Sequence, residues 1–235
     1  MKPVIVFDLD DTLYAERDFV LSGFGAVGDW LQQNGTCDGF TTEASRLFEK
    51  GVRGKIFDQA LARLGVGVRP ELIDALVEVY RAHEPRLHCY PDAQRALDHW
   101  QGRAHLGVIT DGYAATQRQK IKALGLETRV DCVICTDDLG RDHWKPSALA
   151  FQRMMERFGQ HPSTCLYVAD NPAKDFVAPK RLGWWTIQIH REQGVHRFAW
   201  SGLPADYLAQ RAIGSLDELA AIVTEDMRGI TPQWA

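Results

Sequence analysis

The 235-residue sequence contains no apolar run approaching the roughly 20 residues that a bilayer-spanning helix requires. Its start, Met1-Lys2-Pro3 followed by Val4–Phe7, lacks the apolar stretch of a signal peptide. No membrane partner is therefore expected, and a cytoplasmic location is. Basic charge is equally scarce: 27 Lys and Arg stand against 31 Asp and Glu, for a net charge of -4 and a pI near 6.1. Nucleic-acid binding, which calls for a basic face making many phosphate contacts, is not indicated. The five cysteines, Cys37, Cys89, Cys132, Cys135 and Cys165, are scattered and odd in number, which suits reduced thiols rather than a disulfide framework. Cys132 and Cys135 form a CxxC, but 130–135 reads as a strand, where positions three apart face opposite ways and cannot share one metal. No internal repeat or low-complexity tract is visible. With 45% hydrophobic and 25% charged residues, the chain is neither disordered nor fibrous in composition.

Short β-branched apolar runs are present at Val4–Phe7, 106–109, 130–135, 166–169 and 186–189. Helical patterns at 91–101, 117–124, 147–158 and 174–182 separate the later ones. Strands alternating with helices imply an α/β fold, a Rossmann-like parallel sheet with helices on both faces. Between the first two runs, amphipathic patterns at 19–33, 42–50, 55–64 and 70–83 predict an inserted all-helical module. The expected division is a core of residues 1–14 and 88–235 with a helical cap domain over 15–87. Near the end, Ser215 and Glu218 predict a capping box opening a last helix over 214–223.

Acidic chemistry gathers where the first run ends, in Phe7-Asp8-Leu9-Asp10-Asp11-Thr12-Leu13-Tyr14. Asp10, Asp11 and Thr12 are also ordinary turn and cap residues. Their place at the carboxyl end of a strand, the edge where open α/β sheets bind ligands, favours a site. Alternation along the strand sends Asp8 and Asp10 toward one pocket, and two carboxylates so close call for a cation.

Asp8-Leu9-Asp10-Asp11-Thr12 resembles the first motif of the haloacid dehalogenase (HAD) superfamily, and the other three motifs follow in order. The second is the apolar run ending in Thr110-Asp111-Gly112, the third is Lys145 before Pro146, and the fourth is the run ending in Asp170 with Asp175 beyond it. Two departures are visible: Ala169 stands where the family often has glycine, and Asp111 where Asn is more frequent. The first is expected to cost only a local adjustment. The second puts the side chain of residue 111 in doubt as a substrate ligand while leaving its backbone amide.

The resemblance implies a magnesium-dependent phosphatase of a small phosphorylated metabolite, of the sugar phosphate or nucleotide class, working through an aspartyl-phosphate. In that scheme Asp8 is the nucleophile and Asp10 the general acid/base. Thr110, Asp111, Gly112 and Lys145 bind the phosphate, and Asp8, Asp10 (through its carbonyl), Asp170 and Asp175 hold Mg2+. The segment 15–87 resembles the four-helix cap that many members insert after the first motif. A phosphomutase would use the same residues. A 2-haloacid dehalogenase has no use for an acid at position 10, and a non-catalytic scaffold on this core should have lost one or more of Asp8, Asp10, Lys145 and Asp170.

Overall fold

Val4–Phe7 (β1) is a run of four apolar residues with no exposed surface, so it must be covered on both faces. It sits inside a six-stranded sheet. A computed structural model of the chain describes residues 2–195 and 202–226, and the end of the expected core, 227–235, lies outside the described residues. The chain divides into two compact units, one of Met1–Glu16 with His88–Ala235, the other of Arg17–Leu87.

In the first unit the remaining strands are His105–Thr110 (β2), Cys132–Cys135 (β3), Cys165–Ala169 (β4), Trp185–Ile189 (β5) and Arg211–Ile213 (β6). Their spatial order is β3-β2-β1-β4-β5-β6 and every pair is parallel. The chain therefore works outward from β1 in one direction, then crosses back to β4 on its other side. That reversal leaves a crevice at the carboxyl ends of β1 and β4, where crossover connections diverge.

Val4, Val6, Cys165, Tyr167 and Ala169 point to one face and share a core with Ala150, Phe151 and Met154 of the helix Leu149–Phe158. Ile5, Phe7, Leu166 and Val168, of the opposite parity, are equally buried, so the second face is covered as well. Ala169, the departure at the fourth motif, packs within the first cluster.

The second unit contains four helices, Glu16–Gln33 (α1, whose first residue belongs to the other unit), Phe40–Glu49 (α2), Ile56–Arg63 (α3) and Pro70–Ala82 (α4). Its core is aromatic: Phe24 meets Phe48 and Phe57 edge-to-face, and Phe57 meets Phe40 and Tyr80 in the same way. Gly23 makes that packing possible. A methyl group there would lie 2.3 Å from the Tyr80 ring.

Later helices are Pro91–Trp100 (α5), Ala114–Ala123 (α6), Leu149–Phe158 (α7), Val177–Arg181 (α8) and Leu219–Asp226 (α9). Three differences from expectation have local causes. Helix α6 starts at Ala114 rather than 117, because the Asp137 carboxylate accepts the Ala114 N–H at 3.0 Å and supports the first turn from outside. The predicted start at Ser215 does carry a capping box with Glu218, but it opens a 3₁₀ turn, Leu216–Glu218, and the α-helix begins only at Leu219. Strand β6 is too short and too polar, Arg-Ala-Ile, to produce an apolar run, and it forms only because β5 offers an edge.

Candidate active site

Each expected site residue of the four motifs lies at or just beyond the carboxyl end of a strand or in the loop after it. Asp8 follows β1, its N–H bonded to the Val168 carbonyl at 2.9 Å, and is 3% exposed. Thr110 closes β2, and Asp170 follows β4. Lys145 reaches in from the loop before α7, with its side chain fully buried.

Lys145 is the hub of the cluster. Its Nζ lies 2.7 Å from Asp8 Oδ1, 2.8 Å from Asp175 Oδ1 and 3.0 Å from the Tyr167 hydroxyl. Burial alone would favour the neutral amine. The charges of Asp175 and Asp8 outweigh it and push the lysine well above its ordinary value, so it stays an ammonium. Asp175 also accepts the Asn171 N–H through Oδ2 at 3.1 Å, tying the lysine to the loop that carries Asp170.

Carboxylate oxygens of Asp8, Asp170 and Asp175 all lie within 4.8 Å of one another, and all three residues are buried. Burial, then the charges of Asp175, Asp8 and Asp11, push the Asp170 carboxyl well above its ordinary value. Asp8 is raised to about 6 by burial and by Asp175, against the lowering pull of Lys145 and Lys174. Three hard oxygen donors whose negative charge exceeds what Lys145 neutralises fit a small divalent cation such as Mg2+. The carboxylate of Asp10 stands outside this group, which leaves its carbonyl as the expected ligand.

Asp10 faces a different set of donors. Its Oδ1 accepts from Lys120 Nζ at 2.7 Å and from the Tyr14 hydroxyl, and its Oδ2 accepts from Gln117 Nε2 at 3.0 Å. Burial raises its proton affinity, but the Lys120 charge and the hydrogen bonds from Lys120, Tyr14 and Gln117 more than offset this and hold the carboxyl below its ordinary value. Gln117 Nε2 also donates to Thr110 Oγ1 at 2.5 Å, leaving the hydroxyl proton of Thr110 for another acceptor. Gly112, at φ +121°, lets the chain turn there, and a Cβ at that position would come within 3.2 Å of the Gln117 amide.

The Asp111 carboxylate is taken up by the protein. It accepts from Thr136 Oγ1 at 2.8 Å, from the Lys145 N–H at 3.1 Å and from Lys174 Nζ at 3.1 Å. Its side chain thus fixes the backbone of Lys145, and only its amide is left to play the part expected of residue 111.

Lys120, Gln117, Tyr167 and Lys174 were not singled out from the sequence. The first two carry no signal in the sequence; in the structure the buried stripe of α6 is Thr116, Gln117, Lys120 and Ile121, so an amide and an ammonium occupy inward positions one turn apart. None of the cysteines enters the site, and burial pushes the Cys135 and Cys165 thiols up to about 11 and about 12.

The raised carboxyls make the pH dependence of stability a check on this geometry. Asp8 at about 6 and Glu16 at about 7 exceed their ordinary values of 3.8 and 4.5, and burial is the largest cause for both. The folded state then binds more protons than the unfolded state, so their contribution is full below the ordinary values and is lost as pH rises through about 6 to 7. Asp10, Asp92 and Asp111, held below their ordinary value, contribute a constant amount across this window. Metal-free protein should therefore melt at a higher temperature near pH 5.5 than near pH 8, and added magnesium should recover more at the higher pH. A midpoint rising steadily with pH in the absence of metal would contradict the buried carboxylate cluster.

Fold and site together define a hydrolase, and the chain belongs to the haloacid dehalogenase-like hydrolase family, whose model matches residues 2–183. It is similar to the glyceraldehyde 3-phosphate phosphatase of Methanocaldococcus jannaschii, 28% identical over 228 residues that cover 93% of this chain and 96% of the relative. The protein of the same name from Methanopyrus kandleri is 28% identical over 202 residues, covering 81% and 85%. The solved structure of a 2-haloacid dehalogenase from Pseudomonas syringae pv. Tomato DC3000 superposes with a TM-score of 0.64, at 24% identity, over 95% of this chain and 99% of that one. At that identity the likeness speaks for the fold alone.

Proposed function

We propose that this protein is a magnesium-dependent phosphatase that hydrolyses a small phosphorylated metabolite, of the sugar phosphate or nucleotide class, through an aspartyl-phosphate on Asp8. The observation that carries this reading is the pair of carboxylates at the end of β1, each with its own lysine: Asp8 with Lys145 at 2.7 Å and Asp10 with Lys120 at 2.7 Å. One is equipped as a nucleophile and the other as an acid/base.

Asp8 attacks phosphorus in line, forming the Asp8–phosphorus bond as the bond to the leaving oxygen breaks. Lys145 keeps Asp8 ionised and faces the charge that builds on the phosphoryl oxygens, while Thr110 donates its hydroxyl to one of them. Asp10 delivers a proton to the leaving oxygen, then takes one from the water that attacks the acyl phosphate and releases inorganic phosphate. At rest Asp10 is held ionised. The approach of a phosphate dianion raises its proton affinity, because a like charge nearby disfavours the ionised form, and Asp10 takes from solvent the proton that it then delivers. Asp8, Asp170 and Asp175, with the Asp10 carbonyl, would hold magnesium, which shields the nucleophile from the charge of its target. Halide displacement leaves no alkoxide to protonate and would give Asp10 and its three donors no task. The names of the curated relatives support a sugar phosphate, and a phosphomutase remains the second reading only in that it would use the same residues.

Residues 17–87 serve as the cap in this proposal, with the core in residues 1–16 and from 88 onward. Support comes from the first unit itself. The strands of chain that lead out of it and back run side by side, with a bridge between Tyr14 and Cys89 and the Tyr90 N–H on the Leu13 carbonyl at 2.8 Å, next to Asp10.

Inorganic phosphate released from a panel of sugar phosphates, nucleotides and p-nitrophenyl phosphate tests the proposal. Turnover should appear with magnesium, fall to background with chelator and return when the ion is restored. A chain with 17–87 replaced by a short linker should still cleave the p-nitrophenyl ester but discriminate poorly among metabolites. Full activity in metal-free buffer, or release of halide from a 2-haloacid in place of phosphate, would overturn it.

A further inference from the structure

We propose that Lys120, with Gln117 and Tyr14, is a positioning clamp that fixes the Asp10 carboxylate so that a single lone pair, on Oδ2, is left to exchange the proton of the reaction. The proposal rests on the reading of Asp10 as the general acid/base.

A carboxylate offers about four lone-pair sites, two on each oxygen. On Asp10 both sites of Oδ1 are filled, by Lys120 Nζ at 2.7 Å and by the Tyr14 hydroxyl. One site of Oδ2 is filled by Gln117 Nε2 at 3.0 Å. Three donors from two elements, the segment after β1 and helix α6, therefore hold one small side chain by both of its oxygens. Among the described residues no donor fills the fourth site, and through it a proton can leave and return.

The arrangement is costly, which argues that it is more than a surface contact. The Lys120 side chain is only 7% exposed, and an ammonium taken out of water needs a partner in good geometry. Gln117 is 2% exposed and ties the clamp to Thr110 through the same amide nitrogen, so the acid/base and the phosphoryl ligand are set in register with each other. A lysine needed only to neutralise a partly buried aspartate would not require the amide and the phenol on the remaining sites.

Positioning of a general acid has a readout that structural support lacks. An ester with a poor leaving group, such as glycerol phosphate, needs the proton, while p-nitrophenyl phosphate expels a stable anion and needs it little. The ratio of kcat/KM for the two esters, taken on one preparation with saturating magnesium, does not depend on the fraction of enzyme that is folded. Lys120→Met should lower kcat/KM for the alkyl ester by about 10²-fold and that for the aryl ester by less than about tenfold, within the range that general acid/base assistance supplies. Lys120→Arg, which can still donate to Oδ1, should recover part of the alkyl activity. Gln117→Leu should shift the ratio in the same direction, and it carries the test if Lys120→Met does not fold. Asp10→Asn distinguishes loss of the acid itself from loss of its positioning. If Asp10→Asn is selective for the aryl ester while the Lys120 and Gln117 variants lose both esters equally, the clamp is wrong and the role of Asp10 stands. If Asp10→Asn itself loses both equally, the reading of Asp10 as the acid fails, and the clamp fails with it.

Discussion

Asp8→Asn is expected to fold, to keep its sheet intact and to lose phosphatase turnover by on the order of 10⁴-fold or more, as removal of a covalent nucleophile does. The amide is nearly the same size as the carboxylate, so packing at a residue that is 3% exposed is preserved. Its nitrogen is a poor nucleophile and a poor ligand for a hard cation. Stability gives a second signature. Asp8 is pushed up to about 6 by burial and by Asp175, so at neutral pH its ionised form is a burden on the metal-free fold. Asp8→Asn should weaken the decline in stability between about pH 5.5 and pH 8. Steady-state assay and thermal melting over that range check both parts, and turnover within tenfold of the parent enzyme would remove Asp8 from the role of nucleophile.

Lys145→Met should combine a loss of activity with the largest loss of stability of any single change at the site. The side chain is fully buried and ion-paired with both Asp8 and Asp175. Taking away one member of a buried ionic group leaves charge without a counterion, at a cost of roughly 3–5 kcal/mol. Here the orphans are carboxylates that can escape by taking up protons. The destabilisation should therefore be greater near pH 8 than near pH 5.5, and magnesium should relieve part of it. Turnover should fall by roughly 10²–10³-fold even with magnesium present, the loss expected when one stabilising charge is withdrawn from the transferring group. Urea unfolding at the two pH values, with and without metal, measures the first effect. A change below about 1 kcal/mol at both would mean that Lys145 does not compensate the cluster.

These expectations start from residues that the sequence alone makes visible, and the reason is geometric. A parallel sheet buried on both faces writes its central strands as unbroken apolar runs, and Val4–Phe7 and Cys165–Ala169 stand out for that reason. Groups at the ends of such runs, Asp8, Thr110 and Asp170, are conspicuous because an acid or hydroxyl abruptly ends an apolar segment. Lys145 has no such marker in its loop and is legible only as one of four motifs in order. Lys120 and Gln117 are harder still. On a helix, lysine and glutamine ordinarily mark the solvated face, and only the sheet order shows that the inward stripe of α6 is the polar one. Tyr167 reads as one more aromatic in a strand until its hydroxyl is seen beside Lys145 at 3.0 Å. Strand β6 was illegible because three residues, two of them exposed, carry no periodicity.

In the proposed reaction phosphorus becomes covalently bonded to Asp8, and that bond can be trapped. Enzyme mixed with a ³²P-labelled phosphomonoester in the presence of magnesium, and quenched with acid within a turnover, should carry label that survives acid and is released by base, as an acyl phosphate does. Digestion should place the label on the peptide containing Asp8, and Asp8→Asn should acquire none. Label on a different residue, or phosphate release at full rate with no labelled protein at any quench time, would contradict the mechanism.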